Sequence, residues 1–185
     1  MTSKTVIFDY QTYIKDENLE KIKIKPAETR NNNIFIPIKY HHNKYIPLFF
    51  KTPRIYMPFK PHISNESCGY IRLAFDNIKI DKKLKGFYDF INKIEELLEN
   101  KIYDLGIIKK GKYNLKKTIK TSTGFADYFN INFNTSDIKI YNNDLELINI
   151  KEVEGNFYAV FIIELNGFYC NSKTKTIRLV WNLLQ

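Results

Sequence analysis

The sequence predicts a mainly β protein, a sandwich or Greek-key barrel carrying a single amphipathic helix. Two observations point there. Short runs with a period of two recur along the chain between Asn, Gly and Pro turn signals. One stretch carries apolar residues at helical spacing. The chain has 185 residues, no internal repeat and no Gly/Ser- or Pro-rich linker. It is therefore expected to form one domain over 1–185 with a substantial core, its N-terminal segment of about 30 residues peripheral.

Taken in order, Val6-Ile7-Phe8 and the alternation of Ile22 and Ile24 read as short strands, and Asn31-Asn32-Asn33 as a turn. Ile34 to Ile38 alternates again, with Pro37 confined to an edge or a bulge because it donates no ladder hydrogen bond. Asn43-Lys44 breaks the next run, and Tyr45 to Phe50 is strand-like. Pro53, Pro58 and Pro61 make Thr52 to His62 an extended loop or edge segment. After a turn at Asn65-Glu66-Ser67, Tyr70, Arg72 and Ala74 face one way and Ile71, Leu73 and Phe75 the other.

The helix is expected over about 82–100. Asp81 is its N-cap. Leu84, Phe87, Tyr88, Ile91, Ile94, Leu97 and Leu98 form its core stripe, and Glu95, Glu96 and Glu99 its solvent side. Gly111 reads as a turn before Tyr113. Phe129 to Phe133 alternates strictly. Ile138–Tyr141 and Leu145–Ile150 flank a turn at Asn142-Asn143-Asp144. Phe157 to Leu165 reads as one central strand. Asn166-Gly167 is a turn signal or, since Phe168-Tyr169 continue the pattern, a bulge. Ile177, Leu179 and Trp181 form the last strand, with Trp181 in the core.

Composition narrows the partners. The formal net charge is +9 and aromatics make up 15%, nearly all Tyr and Phe. An AT-rich coding sequence enriches the same residue types, so position matters more than totals. The acid-free stretch Lys39–Lys60 interleaves Lys44, Lys51 and Arg54 with Tyr45, Tyr56 and Phe59. The acid-free stretch Lys109–Lys120 holds Lys112, Lys116 and Lys117, with Tyr128 following closely. Cations spaced along a groove neutralise phosphates and release counterions, and ring faces stack unpaired bases. The expectation is one continuous groove. Lys44, Lys51, Arg54, Arg72, Lys112, Lys116 and Lys117 contact phosphates there, and Tyr45, Tyr56, Phe59, Tyr70 and Tyr128 stack on bases.

Enzymatic constellations are weak. His41-His42 and His62 match no standard zinc spacing. Asp9, Asp16, Glu17 and Glu20 lack the pattern of a two-metal site. There is no Walker loop, dinucleotide glycine pattern or nucleophile elbow. A non-enzymatic protein without cofactor or metal is therefore expected. Cys68 and Cys170 are read as two free thiols, with a bridge left open. The apolar stretch after Met1-Thr2-Ser3-Lys4 is too short for a signal peptide, and no segment is long and apolar enough to span a bilayer. These features suggest a soluble intracellular protein without a membrane partner.

Several segments together resemble the single-stranded DNA-binding proteins of large cytoplasmic DNA viruses and related linear plasmids. They are Thr52-Pro53 with Pro58-Phe59, Gly69 to Phe75, the Phe87-Tyr88 helix, Phe129 to Phe133, Gly167-Phe168-Tyr169 and Trp181 to Gln185. The resemblance spans about Ile34 to Gln185. That family is similar to the T7-type and poxvirus single-stranded DNA-binding proteins. The resemblance implies an OB-fold-like barrel, a cytoplasmic location and a role in DNA replication, recombination and repair by coating exposed strands. It also implies replication proteins as partners. Two departures stand out. Arg178-Leu179-Val180 replaces a Gly often found shortly before the final Trp. The sequence ends at Gln185 without the acidic tail of some T7-type members, which puts tail-mediated polymerase recruitment in doubt unless the protein continues past that residue. DNA against RNA preference and homo-oligomerisation stay open. The alternative reading is a basic structural or scaffolding β protein that binds nucleic acid or an acidic partner without strand preference.

Overall fold

The computed structural model describes residues 6–13, 20–142 and 144–185. The readings made on Met1–Lys4, Asp16, Glu17 and Asn143 lie outside the described residues. The N-terminal part contains β1 (Ile7–Asp9), the short helix α1 (Tyr10–Tyr13), β2 (Ile22–Ile24) and β3 (Glu28–Arg30). Next come β4 (Asn33–His42), β5 (Lys44–Ile46), β6 (Leu48–Lys51), β7 (Ile55–Met57), β8 (His62–Ile63) and β9 (Cys68–Ala74). The long helix α2 (Lys82–Asp104) is followed by β10 (Asn114–Leu115), β11 (Tyr128–Asn134), β12 (Ile140–Tyr141) and β13 (Leu147–Ile148). A 3₁₀ turn at Ile150–Glu152, β14 (Phe157–Ala159), β15 (Ile162–Asn171) and β16 (Thr176–Leu183) complete the chain. The protein is mainly β with one amphipathic helix, as expected, and its sheet curls into a half-barrel.

The main sheet runs β1-β6-β15-β16-β11-β9-β7-β14, with β4 paired to β15 and carrying β2, β3 and β5. The run expected as one central strand from Phe157 to Leu165 is two strands. Residues of β14 pair with β7, placing Tyr158 opposite Tyr56, whereas β15 pairs with β6 from Ile162 opposite Lys51. The break falls at a corner. The Thr52 amide donates to the Phe161 carbonyl, and the Phe161 amide donates to the Thr52 hydroxyl, both at 2.9 Å. Thr52 is buried there, so its hydroxyl satisfies a backbone donor where the ladder changes partner. The same corner brings the β7–β14 end of the order back toward β6 and β15.

Asn31 and Asn32 both have positive φ (48° and 64°) between the paired residues Arg30 and Asn33. This is the geometry of a two-residue hairpin. Asn166-Gly167 is a bulge rather than a turn: the β15–β16 register shifts between Leu165 and Gly167. Pro37 sits opposite that bulge, where its missing donor costs least.

Helix α2 starts where expected. Asp81 accepts hydrogen bonds from the Lys83 and Leu84 amides. It runs four residues past the expected end, and Gly106, with φ of 65°, takes the left-handed position after the Leu105 cap. Its apolar face crosses the sheet. Phe87 lies 6.2 Å from Phe129 and 5.3 Å from Tyr10, and Phe90 lies 5.0 Å from Phe50. Each such buried side chain contributes about 1.5–3 kcal/mol. Glu95 departs from the expectation: it is buried among these residues rather than facing solvent with Glu96 and Glu99. It falls four residues after Ile91 and three before Leu98, which puts it on the apolar stripe. The N-terminal segment, expected at the periphery, contributes β1 to a sheet edge and places Tyr10 and Ile22 in the core. Trp181 is core as expected, with its ring 6.2 Å from Phe50.

Two predictions follow from this packing. A Cβ added at Gly167 would lie 2.3 Å from the Ile36 carbonyl oxygen. Gly167→Ala is therefore expected to destabilise by about 1–3 kcal/mol, measured by urea unfolding. Both thiols are free; Cys68 is exposed, and burial pushes the Cys170 thiol up to about 11. Ellman's reagent should titrate one thiol in the native protein and the second only on unfolding.

Candidate nucleic-acid interface

The site begins with one antiparallel pairing. Strands β9 and β11 align Ala74 with Tyr128, Arg72 with Asn130 and Tyr70 with Asn132. Their period of two sends Ile71, Leu73, Phe129, Ile131 and Phe133 into the core. The alternate residues Tyr70, Arg72, Tyr128, Asn130 and Asn132 share the outer face. Because Tyr128 is diagonal to Arg72 across the ladder, the Arg72 guanidinium reaches over its ring, 4.2 Å from the centroid. It also lies 5.6 Å from the Phe59 ring, and its Nε donates to Asn130 Oδ1 at 3.4 Å.

A second ring pair adjoins this cluster. Tyr56 and Tyr158, opposite each other on β7 and β14, have centroids 5.0 Å apart, with the Arg54 guanidinium 5.8 Å from the Tyr158 ring. Polar residues fix both phenols. Tyr56 donates to Asn156 Oδ1 at 2.5 Å, and Tyr158 donates to Asp76 Oδ2 at 2.7 Å. The hydrogen bond to the Asp76 carboxylate pushes the Tyr158 phenol up from its ordinary value, with burial adding to it. Tyr56, Phe59, Arg72, Tyr128 and Tyr158 wall an open cleft of about 720 Å³, and Phe125 stands 82% exposed at its rim.

Further along β11 lies a cleft of different character, about 520 Å³. It is lined by Tyr70, Lys116, Lys117, Lys120, Tyr169 and Arg178 together with Asn130, Asn132 and Asn171. Lys120 links the two clefts. Its backbone exchanges hydrogen bonds with Tyr128 at 2.7 and 3.0 Å, and its ammonium lies 5.9 Å from the Tyr128 ring. The basic segment is held down by the helix. Buried Glu95 accepts from the Thr118 amide at 2.8 Å and the Thr118 hydroxyl at 2.7 Å, and its Oε2 lies 3.6 Å from the Lys117 ammonium.

The structure thus gathers Tyr56, Phe59, Arg72 and Tyr128 in one cleft and Tyr70, Lys116 and Lys117 in the next, with Arg54 beside the Tyr158 ring but lining neither. Four expected residues stand apart. Lys44 and Tyr45 lie on the β4–β5 hairpin, separated from β11 by β15 and β16 in the sheet order, with Tyr45 under the Lys25 ammonium at 3.8 Å. Lys51 lies beside Asp9 at the β1 edge, and Lys112 near the Tyr113 ring. Lys44, Tyr45 and Lys51 part because β4, β5 and β6 turn back on one another, whereas Lys112 sits in the turn before β10, outside either cleft. Sequence reasoning missed Tyr158, Arg178, Tyr169 and the joining role of Lys120. Tyr158 and Val160, both exposed, lie within the run expected as one central strand.

Among the described residues no group of three or more His, Cys, Asp or Glu side chains could hold a metal ion. No described helix is long and apolar enough to cross a membrane. No family model and no curated protein sequence matches the chain. Among solved structures it is similar to the crystal structure of gp2.5, a single-stranded DNA-binding protein encoded by bacteriophage T7. The TM-score is 0.42 and the identity 11%, covering 74% of this chain and 93% of that one. The reading of the clefts rests on their own geometry.

The contact between Glu95 and Thr118 is testable. Glu95→Ala removes a charged acceptor from two donors, each such bond contributing about 1.5–3 kcal/mol. The Thr118 amide is expected to lose hydrogen-exchange protection, while Glu95→Gln, which keeps an acceptor oxygen, retains most of it.

Proposed function

We propose that this protein binds single-stranded DNA with little sequence preference, coating strands exposed during replication, recombination and repair. Bases stack in the Tyr56–Phe59–Tyr128–Tyr158 cleft, and the backbone follows Lys120, Lys116, Lys117 and Arg178. One observation carries this reading: the outer face of β9 and β11 sets a ring-lined cleft beside a lysine-lined cleft, with Arg72 hydrogen-bonded to Asn130 and Lys120 against the Tyr128 ring where the two meet. Ring faces accept any base, which gives tolerance. In a duplex the bases are stacked on one another and their faces are unavailable to the rings, which gives strand preference. The protein acts by binding, and the reading assigns it no catalytic step or cofactor. The cytoplasm and replication proteins remain the proposed setting and partners.

Titration of the full chain with single-stranded and duplex oligonucleotides of equal length tests the reading. It expects clearly tighter binding to the single strand and a log affinity that falls linearly with log salt. Equal affinity for duplex would support the scaffolding alternative, and absence of salt-dependent binding would overturn nucleic-acid binding altogether. Within that assay Tyr128→Ala should cost about 1–3 kcal/mol of affinity. Lys116→Ala should flatten the salt slope by roughly 0.7, whereas Lys44→Ala, on the distant hairpin, should leave both nearly unchanged.

A further inference from the structure

The ring-lined cleft contains one carboxylate, Asp76. An acid is out of place where a phosphate would bind, since like charges repel at close range. Its hydrogen bonds show how it is held. Tyr158 and Asn77 donate to Oδ2 at 2.7 and 3.0 Å, and Asn77 Nδ2 also donates to the Tyr158 hydroxyl at 3.2 Å. Among the described residues Oδ1 accepts no hydrogen bond, so the carboxylate is fixed through one oxygen and keeps an open acceptor on the other. Asn156, on the same wall, accepts from Tyr56 through Oδ1 and leaves its Nδ2 donors without a partner among the described residues.

We infer that Asp76 reads the edge of one stacked base and favours bases that carry an exocyclic amino group. This rests on the single-stranded DNA reading and deepens it. Carboxylates in protein–DNA contacts accept from the cytosine N4 amino group. Thymine offers the same oxygen a ring N–H flanked by two carbonyl oxygens, which the negative charge opposes. The ring-lined walls offer faces on which that base can stack, and Arg72 over Tyr128 supplies the positive charge that keeps the cleft compatible with a polyanion. The selectivity is confined to one base per protein molecule, so it coexists with general tolerance along the strand.

The test uses the full chain and equal-length oligonucleotides of deoxycytidine and of 2-pyrimidinone deoxynucleoside, which differs from cytosine by loss of the amino group. The wild type is expected to bind oligo-dC roughly 10-fold more tightly, the value of one charge-assisted hydrogen bond. Asp76→Ala should bring the ratio near one, any loss of affinity from the released Tyr158 phenol falling equally on both strands. Tyr158→Phe, which removes the hydrogen bond to Oδ2 but keeps the ring and the carboxylate, should preserve the ratio. A wild-type ratio near one, or a ratio that survives Asp76→Ala, overturns the role of Asp76 and leaves the parent reading standing. Failure of either strand to bind in a salt-dependent way overturns both.

Discussion

The pairing register of β9 with β11 is the constraint on which the rest of this molecule depends. Side chains on a strand alternate with a period of two, so a slip of one residue would exchange the faces of the whole segment. In the observed register Leu73 and Phe129 go inward together, and Arg72 and Asn130 outward together. The core enforces it: Phe75 stacks on Phe129 at 5.6 Å and Phe87 of α2 closes over both. The outer face thus inherits its geometry from hydrophobic packing it does not share. Arg72 meets Tyr128 because the register that packs Phe129 against Phe75 and Phe87 sets the two diagonal to each other on the outer face.

The parts of this arrangement that were legible in the sequence were local. The alternation of Gly69 to Phe75 and of Phe129 to Phe133 gave both strands and both faces. The Asp81 cap and the spacing from Leu84 to Leu98 gave the helix. Other parts depend on pairings remote in sequence. Tyr158 joins the site only because β14 lies against Tyr56 on β7, a residue about a hundred positions earlier. Nothing within Phe157–Leu165 marks the corner at Thr52 that splits it. The same limit explains Lys44, Tyr45 and Lys51. Acid-free stretches register charge along the chain, whereas tight reversals between β4, β5 and β6 distribute that charge over separate surfaces.

Glu95 shows a different limit. A carboxylate within an acidic run on a helix is ordinarily solvated, and burial of an unpaired charge is costly. Its position on the apolar stripe becomes intelligible only with the segment that covers it, where the Thr118 amide and hydroxyl and the nearby Lys117 ammonium supply compensation. The helix, which contributes no residue to either cleft, thereby sets where the basic segment runs.

That arrangement also ranks the cations of the lysine-lined cleft. Lys117 already has a carboxylate oxygen 3.6 Å away, although its side chain is 59% exposed. A phosphate approaching Lys117 also meets Glu95 beneath it, so part of the attraction is cancelled. Lys116, Lys120 and Arg178 have no such counter-charge among the described ion pairs. On the proposed single-stranded DNA reading, counterion release would therefore come mostly from those three, with Lys117 contributing less because Glu95 partly balances its charge. Adjacent lysines thus differ in their surroundings: Lys117 sits over the buried Glu95 carboxylate, whereas Lys116 meets no acid among the described ion pairs.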